Sequence, residues 1–254
     1  MDFLANEILV TTLSTQENTM IKFNPYLRNL EFTTLANKMF TFWRINLDAS
    51  LQYQLGDFDK KKLDETTNFT CIDYTPPLSN NSMVLLLICL SNFEVWGIDT
   101  KTNCVIIKYP SKCFLTLENN LNSISNILIK ENDTDTTNDK YNCNLSILNT
   151  KDKNYIPINI QGTFRFVLCS HKFVVFVYAN IIKIFRLPYP LSQIEYEKLN
   201  IFGGKPSEII VDSDVVSIDM EILDNSDSAV CLTKKGNLWA VNFEEKSTIR
   251  IFSF

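Results

Sequence analysis

The sequence GNLWAVNFEEKSTIRI spans residues 236–251 and predicts two β-strands joined by a charged turn. Apolar and polar side chains alternate around Trp239 from Leu238 to Phe243, and they alternate again from Thr248 onward. Successive side chains of a strand point to opposite faces of the sheet, so this period of two is typical of a strand. Residues 244–246 supply the polar break between the two strands. We therefore predict a β-hairpin here, as part of an all-β fold.

The composition of the chain is that of a β-rich globular protein. Its 254 residues are 45% hydrophobic, with 18 Phe and 9 Tyr but only 6 Gly. All-β folds of roughly 200 to 250 residues often form a single unit, so we expect one domain over residues 1–254, either complete or incomplete. The formal charge of −5 argues against binding to nucleic acid or to an anionic membrane, because both need a basic surface.

No segment of the sequence has the features of a signal peptide or a membrane span. The N-terminus carries Asp2 and lacks the basic and apolar regions of a signal peptide. The longest unbroken apolar run, residues 83–90, is far shorter than the roughly 20 residues of a spanning helix, and it predicts a buried strand. The seven cysteines include no Cys-x-x-Cys pair, which favours reduced thiols over disulfides or a zinc site. We expect a cytoplasmic protein without a membrane partner.

Strand-like segments recur along the chain in sets, and the third strand of four of these sets carries a large aromatic residue. These residues are Trp43, Trp96, Phe185 and Trp239. Trp43 and Trp96 lie 53 residues apart, Phe185 and Trp239 lie 54 apart, and the longer gap between the two pairs leaves room for a weaker unit near Ser146. Self-similarity at roughly 40 to 50 residues is typical of propeller blades, each of which is a four-stranded sheet.

The repeats predict a β-propeller, or a partial arc of one, built from about five four-stranded blades. We expect the four aromatic residues to pack between blades as structural side chains. Five blades are few for a closed ring of this kind, so the arc is open, closes in an unusual way or is part of a longer protein. An ordinary β-sandwich with aromatic strands is the alternative fold.

An acidic insert, ENDTDTTND at residues 131–139, interrupts the third set of strands. It contains no apolar side chain, so it has nothing to bury in a core. We predict a disordered acidic loop at these residues.

The sequence contains little that points to catalysis, which usually needs a histidine or two converging carboxylates. The single histidine, His171, lies between two apolar strands, where an exposed turn is expected. The acid pairs Asp212 with Asp214 and Asp224 with Asp227 also fall between strands, where Asp is favoured because it hydrogen-bonds nearby backbone. No phosphate-binding glycine loop or metal-ligand pattern is present. We predict no catalytic residue, no cofactor site and no metal site.

Residues 236–251 resemble a blade of the WD-repeat-containing protein 90 family, the centriolar and ciliary POC-type WD-repeat proteins. A family blade runs from Gly through an aliphatic residue and Trp to a charged turn and an aliphatic–basic–aliphatic strand. The residues that fit are Gly236, Leu238, Trp239, Val241, Asn242, Glu245, Lys246, Ser247, Ile249, Arg250 and Ile251. A second likeness, shared with flagellar WD-repeat proteins, is FTFWRI at residues 40–45 after FNP at residues 23–25. The chain departs from the family in having no Trp-Asp dipeptide.

The resemblance implies a WD40-like β-propeller that is a non-enzymatic scaffold for protein–protein interaction at centrioles, basal bodies, cilia or flagella. Its implied partners are centriolar or microtubule-associated proteins, and its implied location is the cytoplasm, centriole, basal body or axoneme. Two other functions remain open. One is a propeller subunit of a trafficking or RNA-processing complex, since fold alone does not separate these roles. The other is a propeller hydrolase whose carboxylates converge on the central channel.

Overall fold

The structure is a computed structural model. It describes residues 20–26, 30–36, 38–46, 48, 50–56, 63, 65–78, 83–111, 114, 129–131, 142–149, 154–161, 163–187, 201–202, 204–220 and 227–253. Residues 129–131, 142–149 and 154–161 are described by their backbone alone. The regular elements of these residues are antiparallel β-strands, so the prediction of an all-β fold is confirmed.

The first eight strands form two four-stranded sheets in which neighbouring strands follow one another along the chain. Sheet 1 consists of β1 (Met20–Phe23), β2 (Leu30–Ala36), β3 (Met39–Ile45) and β4 (Leu51–Leu55). Sheet 2 consists of β5 (Phe69–Tyr74), β6 (Leu85–Leu90), β7 (Val95–Asp99) and β8 (Cys104–Tyr109). Strands that follow one another in this way are joined by hairpin connections, as in a propeller blade.

The remaining eleven strands of the described residues form three further sheets. Sheet 3 has three strands, β9 (Ile129–Glu131), β10 (Asn142–Asn149) and β11 (Asn154–Gln161), with β10 in the middle. Sheet 4 consists of β12 (Phe166–Cys169), β13 (Phe173–Tyr178), β14 (Ile181–Arg186) and β15 (Ser207–Ile210). Sheet 5 consists of β16 (Val215–Asp219), β17 (Ser228–Thr233), β18 (Asn237–Asn242) and β19 (Ser247–Ser253).

The hairpin predicted from residues 236–251 is present in sheet 5. β18 and β19 pair in antiparallel register, from Asn237 with Ser253 to Asn242 with Ser247. Gly236 has a φ of 81° and its N–H donates to the Thr233 carbonyl at 2.8 Å, closing the turn before β18. Glycine adopts this left-handed conformation without the steric cost of a side chain.

Two faces are defined for each of sheets 1, 2, 4 and 5. The front face carries the aromatic residue of the third strand, namely Trp43, Trp96, Phe185 or Trp239. The back face is the opposite one, because alternate residues of a strand point to opposite sides of the sheet. Side chains at paired positions on neighbouring strands share a face. The strand registers therefore assign each remaining strand residue to the front or the back face.

The sheets stack front to back in the order sheet 1, sheet 2, sheet 4, sheet 5. The front of sheet 2, including Trp96 and Ile88, packs on the back of sheet 1. The front of sheet 4, including Phe176, packs on the back of sheet 2, and the front of sheet 5 packs on the back of sheet 4. The inner strands β6 and β13 are buried along their whole length. Most of the core therefore lies between sheets.

This stacking corrects the predicted order of units. The weaker unit expected near Ser146 corresponds to sheet 3, which has three strands instead of four. Sheet 2 nevertheless packs directly on sheet 4, through ring contacts of Phe93 with Phe164 at 4.9 Å and with Tyr178 at 5.6 Å. The continuous stack thus contains four sheets. Four sheets packed in series also exclude the two-sheet sandwich that was the alternative fold.

Three strands of the structure were not predicted, namely β4, β11 and β15. In β4 the sequence LQYQL places only three apolar residues in five, and four of the five are exposed. β15 is the short outer strand of sheet 4, with the sequence SEII. Outer strands bury little surface, so their sequences carry a weaker apolar pattern than the inner strands do.

The predicted acidic loop begins one residue too early. Glu131 is the last residue of β9 and pairs with Leu145 of β10. A charged side chain does not prevent this, because strand pairing uses the backbone N–H and C=O groups that every residue except proline has. Residues 132–139 of that prediction lie outside the described residues. The single domain over residues 1–254 stays a prediction.

Candidate functional site

A cleft of about 480 Å³ opens between sheet 1 and sheet 2, and we call it the rim cleft. One wall comes from β2, β3 and β4, and the other from the residue directly before sheet 2's β6 and from its β7–β8 turn. Phe42 and Val84 are its apolar members. Polar side chains make up most of the remaining lining: Glu31, Arg44, Gln52, Gln54, Thr100, Lys101 and Asn103.

An ion pair fixes the polar wall that belongs to sheet 1. Arg44 donates from Nε to Glu31 Oε1 at 2.8 Å, and its Nη2 lies 2.6 Å from the same oxygen. The register places Glu31, Arg44 and Gln52 side by side on the back face of sheet 1. A charge-assisted contact of this kind restricts the guanidinium, although an exposed pair adds little to stability.

The opposite wall is a turn held by its own hydrogen bonds. Asp99 Oδ1 accepts from Lys101 N at 3.0 Å, and Asp99 Oδ2 accepts from Thr102 Oγ1 at 3.1 Å. Asn103 has a φ of 59°, and its N–H donates to the Asp99 carbonyl at 2.8 Å. These contacts give the turn one defined shape, so the wall exists before anything binds.

The edge of sheet 1 adds backbone groups to the rim cleft. β4 is the last strand of sheet 1, and within the described residues no further strand pairs with its outer edge. Gln52, Tyr53 and Gln54 are exposed along it. An exposed edge strand offers N–H and C=O groups to an incoming extended segment. The rim cleft therefore combines a strand edge, an ion pair, amides and the ring of Phe42, which bind by hydrogen bonding and packing.

Sequence reasoning missed the rim cleft, because its walls are distant in the chain and its outer strand was not predicted. The available signal was LQYQL at residues 51–55, which alternates polar and apolar residues over a short stretch. That alternation marks a strand with one exposed face, but it says nothing about which sheet edge the strand occupies.

A buried polar junction joins three sheets near β1. Asp73 Oδ1 lies 3.1 Å from Lys22 Nζ of sheet 1 and accepts from Tyr74 N at 2.8 Å. Asp73 Oδ2 accepts from Cys169 N of sheet 4, also at 2.8 Å. Burial raises the pKa of the Asp73 carboxyl, while Lys22 and the backbone donors oppose that rise. With its oxygens occupied in this way, the carboxyl acts as a structural link and not as a free base.

A second buried charge ties sheet 4 to the segment after β8. The ammonium of Lys183 donates to the carbonyl of Phe114 and lies 2.9 Å from Glu208 Oε1 of β15. Burial lowers the pKa of Lys183, and Glu208 opposes that change. The lysine is thus used in packing β14 against its neighbours.

Five cysteines have described side chains, and all five are free thiols: Cys71, Cys89, Cys104, Cys169 and Cys231. Burial raises the pKa of the thiols of Cys89 and Cys169 well above its usual value. Nucleophilic attack needs the thiolate, so these two cysteines are poor nucleophiles at neutral pH.

The structure places the four aromatic residues of the repeats at related points, each on the third strand of its sheet. Trp96 and Phe185 are almost fully buried, at 1% and 2% exposure. Trp239 is half-buried in sheet 5, and its Nε1 donates to Asp212 Oδ1 at 3.2 Å. Trp43 is half-buried on the front of sheet 1, and its Nε1 donates to Thr34 Oγ1 at 2.9 Å. The structure does not bring them into one site.

His171 and the acids of the connections are also dispersed. His171 is exposed in the turn before β13, with its ring edge-on to Tyr26 at 5.8 Å. Asp214 pairs with Arg165 at 3.3 Å, and Asp227 pairs with Lys172 at 2.8 Å. The remaining member of the predicted acid pairs, residue 224, lies outside the described residues, and Asp212 binds the third strand of sheet 5.

Neither a metal site nor a membrane-spanning helix occurs in the part of the chain that the structure describes. There, no three side chains among His, Cys, Asp and Glu are grouped closely enough to ligate a metal ion. No helix in the same residues is long and apolar enough to span a bilayer.

The sequence itself has no match among known families. No protein-family model matches it, and no curated protein is significantly similar to it. The resemblance of residues 236–251 to the WD-repeat-containing protein 90 family therefore stays a hypothesis.

Solved structures do resemble the fold. The β-propeller domain of Cps50 (Swd1) from Myceliophteria thermophila is 11% identical with a TM-score of 0.50, over 91% of this chain and 58% of that one. Sqt1 of Saccharomyces cerevisiae is 11% identical with a TM-score of 0.46, over 92% and 60% of the two chains. The RRP9 WD40 repeats are 10% identical with a TM-score of 0.44, over 94% and 65%.

The chain thus spans little more than half the length of the Cps50 domain. At such low identity the likeness shows the fold alone, which is that of a β-propeller. The predicted fold class is confirmed, with a continuous stack of four sheets in place of about five blades.

Proposed function

We propose that this protein is a non-enzymatic scaffold that binds an extended segment of a partner protein in the rim cleft. The observation that carries the proposal is the pairing of a preformed polar cleft with the exposed edge of β4. An extended segment laid along such an edge gains main-chain hydrogen bonds, and its alternate side chains reach the cleft for specificity.

The side chains of the rim cleft suit a protein ligand. Arg44 belongs to one of the residue types that dominate binding energy in protein interfaces. Glu31 balances the charge of Arg44, while Gln52 and Gln54 offer amide donors and acceptors. This mixture favours a polar, extended peptide over a strongly charged polymer such as nucleic acid.

A scaffold also needs a rigid body behind its binding surface. The Asp73 junction links sheets 1, 2 and 4, and Lys183 links sheet 4 to the residue at position 114. These buried polar groups are engaged in holding sheets together, which supports a structural role for them over a hydrolytic one.

We place the scaffold in the cytoplasm, at centrioles, basal bodies or cilia, with centriolar or microtubule-associated partners. The support for this finer proposal is the resemblance at residues 236–251. It needs a test that is independent of the fold, because propellers serve many unrelated complexes.

Proximity labelling of the tagged protein in ciliated cells tests both levels of the proposal. We expect the labelled proteins to be enriched in centriolar or ciliary components. We also expect the double variant Arg44→Ala, Lys101→Ala to label its strongest neighbour about tenfold less than the wild type does. A tenfold loss of affinity corresponds to about 1.4 kcal/mol of binding free energy.

The matched control is the double variant Lys234→Ala, Arg250→Ala, which removes the same charges from exposed positions in the β17–β18 turn and in β19. It should retain the neighbours of the wild type. Equal labelling by both double variants would reject the rim cleft as the binding surface. Neighbours drawn from vesicle coats or ribonucleoproteins would reject the centriolar location and leave the scaffold role standing.

A further inference from the structure

Within the described residues, the front of sheet 1 is an uncovered aromatic surface. Phe23, Phe32, Trp43 and Tyr53 occupy directly paired positions on β1 to β4. Their rings form a ladder, with centroids 5.2, 5.9 and 5.3 Å apart from one ring to the next. Phe23 is 57% exposed and Tyr53 is 68% exposed. In sheets 2, 4 and 5 the equivalent face is packed against the preceding sheet.

The back of sheet 5 is the second uncovered face. Its register aligns Val230 with Ala240 and Ile249, and Leu232 with Leu238 and Phe252. Among these side chains, Val230, Ile249 and Phe252 are 45%, 69% and 52% exposed. In sheets 1, 2 and 4 the equivalent face is covered by the front of the following sheet.

The two uncovered faces are of complementary kinds. Each of the three interfaces inside the stack joins one aromatic-bearing front to one back, and no interface of the stack joins two fronts or two backs. The stack ends in one spare front and one spare back. Their exposure shows that sheet 1 and sheet 5 of the same chain do not cover each other.

We propose that two copies of this chain associate head to tail, with the front of sheet 1 of each copy packed on the back of sheet 5 of the other. Each contact repeats the front-on-back packing that the chain already makes three times internally. The surface is separate from the rim cleft, whose side chains Glu31, Arg44 and Gln52 lie on the opposite face of sheet 1.

The sheets of a head-to-tail pair can also close into one ring. Two four-sheet stacks give a ring of about eight sheets, within the four to eight blades typical of propellers. Head-to-tail contacts make a closed ring when the rotation from one copy to the next adds up to a full turn. A closed ring leaves neither the front of sheet 1 nor the back of sheet 5 uncovered.

The charges of the two faces permit this contact. The front positions of sheet 1 carry no ionisable carboxylate or ammonium, as the alternation of β1 to β4 shows. On the back of sheet 5, Asp219 lies at the end of the row that contains Val230. Apolar faces without opposing like charges associate by burial of surface from water.

Light scattering coupled to size-exclusion chromatography of the full chain tests the proposal. We expect a mass of about twice the 29.3 kDa of one chain for the wild type. Tyr53→Asp on the front and Ile249→Asp on the back should each reduce it to the mass of one chain. The control is Ile210→Asp in β15. Ile210 is 63% exposed, similar to Tyr53 and Ile249, but it lies outside both the front of sheet 1 and the back of sheet 5. This variant should remain a dimer.

Mixing the two variants distinguishes assembly from folding. Tyr53→Asp retains an intact back, and Ile249→Asp retains an intact front, so an equimolar mixture should regain the mass of two chains through one intact contact. An unfolded variant would not restore it. A monomeric wild type, a mass above two chains, or an Ile249→Asp variant that still dimerises would overturn the head-to-tail proposal. None of these outcomes bears on the rim cleft, which the labelling experiment tests separately.

Discussion

We expect the replacement of Asp73 by Ala to lower the free energy of unfolding by about 3 to 5 kcal/mol, the usual cost of removing one partner of a buried ion pair. The change leaves the ammonium of Lys22 without its carboxylate and the N–H of Cys169 without its acceptor. Three sheets lose their common link at once. Chemical denaturation of the purified variant, followed by tryptophan fluorescence, measures the loss.

Two variants serve as controls for this result. Asp73→Asn retains an acceptor for the Cys169 N–H and removes only the charge, whose burial is already unfavourable, so it should cost about 1 to 2 kcal/mol. Asp214→Ala removes the exposed partner of Arg165 and should cost less than about 1 kcal/mol. Equal losses for Asp73→Ala and Asp214→Ala would show that the Asp73 junction does not hold the sheets together.

We expect a loss of about 3 to 5 kcal/mol from Trp96→Ala, because truncating a fully buried aromatic side chain leaves a cavity. Trp96 is 1% exposed between sheets 1 and 2, with the ring of Phe69 at 5.7 Å and the ammonium of Lys108 3.9 Å from its ring centroid. A loss of this size is a large part of the stability of a typical domain. Thermal and denaturant unfolding measure it.

The matched control is Trp43→Ala, which truncates the same side chain at the same strand position on the uncovered front of sheet 1. Trp43 is half-buried, so its removal should cost about 1 to 2 kcal/mol. Both variants are compared in the Ile249→Asp background, which lacks the proposed contact between copies. Similar losses there would mean that the front of sheet 1 is covered within one chain, contrary to its exposure in the structure.

Much of the architecture was predictable from alternation and repetition. The spacing of Trp43, Trp96, Phe185 and Trp239 identified the four sheets of the stack, and the pattern at residues 236–251 identified the last hairpin. Apolar inner strands such as β6 and β13 have a strong sequence signal, because both of their faces are buried.

The order in which sheets pack was not predictable in the same way. Residues between β8 and β12 form sheet 3 in the chain, yet sheet 2 contacts sheet 4 directly through Phe93 and Phe164. Strand patterns report on local pairing, and the choice of neighbouring sheet depends on tertiary packing that no local pattern contains.

The functional features escaped prediction for a related reason. Asp73 is a single acid in the apolar strand FTCIDY, and only the fold shows that Lys22 and the Cys169 N–H meet it. The rim cleft depends on β4, whose polar sequence resembles a loop. Buried polar junctions and edge surfaces are properties of the assembled sheets.

A crystal structure of the full chain tests the stacking of four sheets in an open arc most directly. We predict that sheet 2 will pack on sheet 4 with Asp73 bound to the Cys169 N–H. No strand of the same chain should cover the aromatic front of sheet 1 or the apolar back of sheet 5. A structure in which sheet 3 separates sheets 2 and 4, or in which sheets 1 and 5 of one chain close on each other, would contradict it.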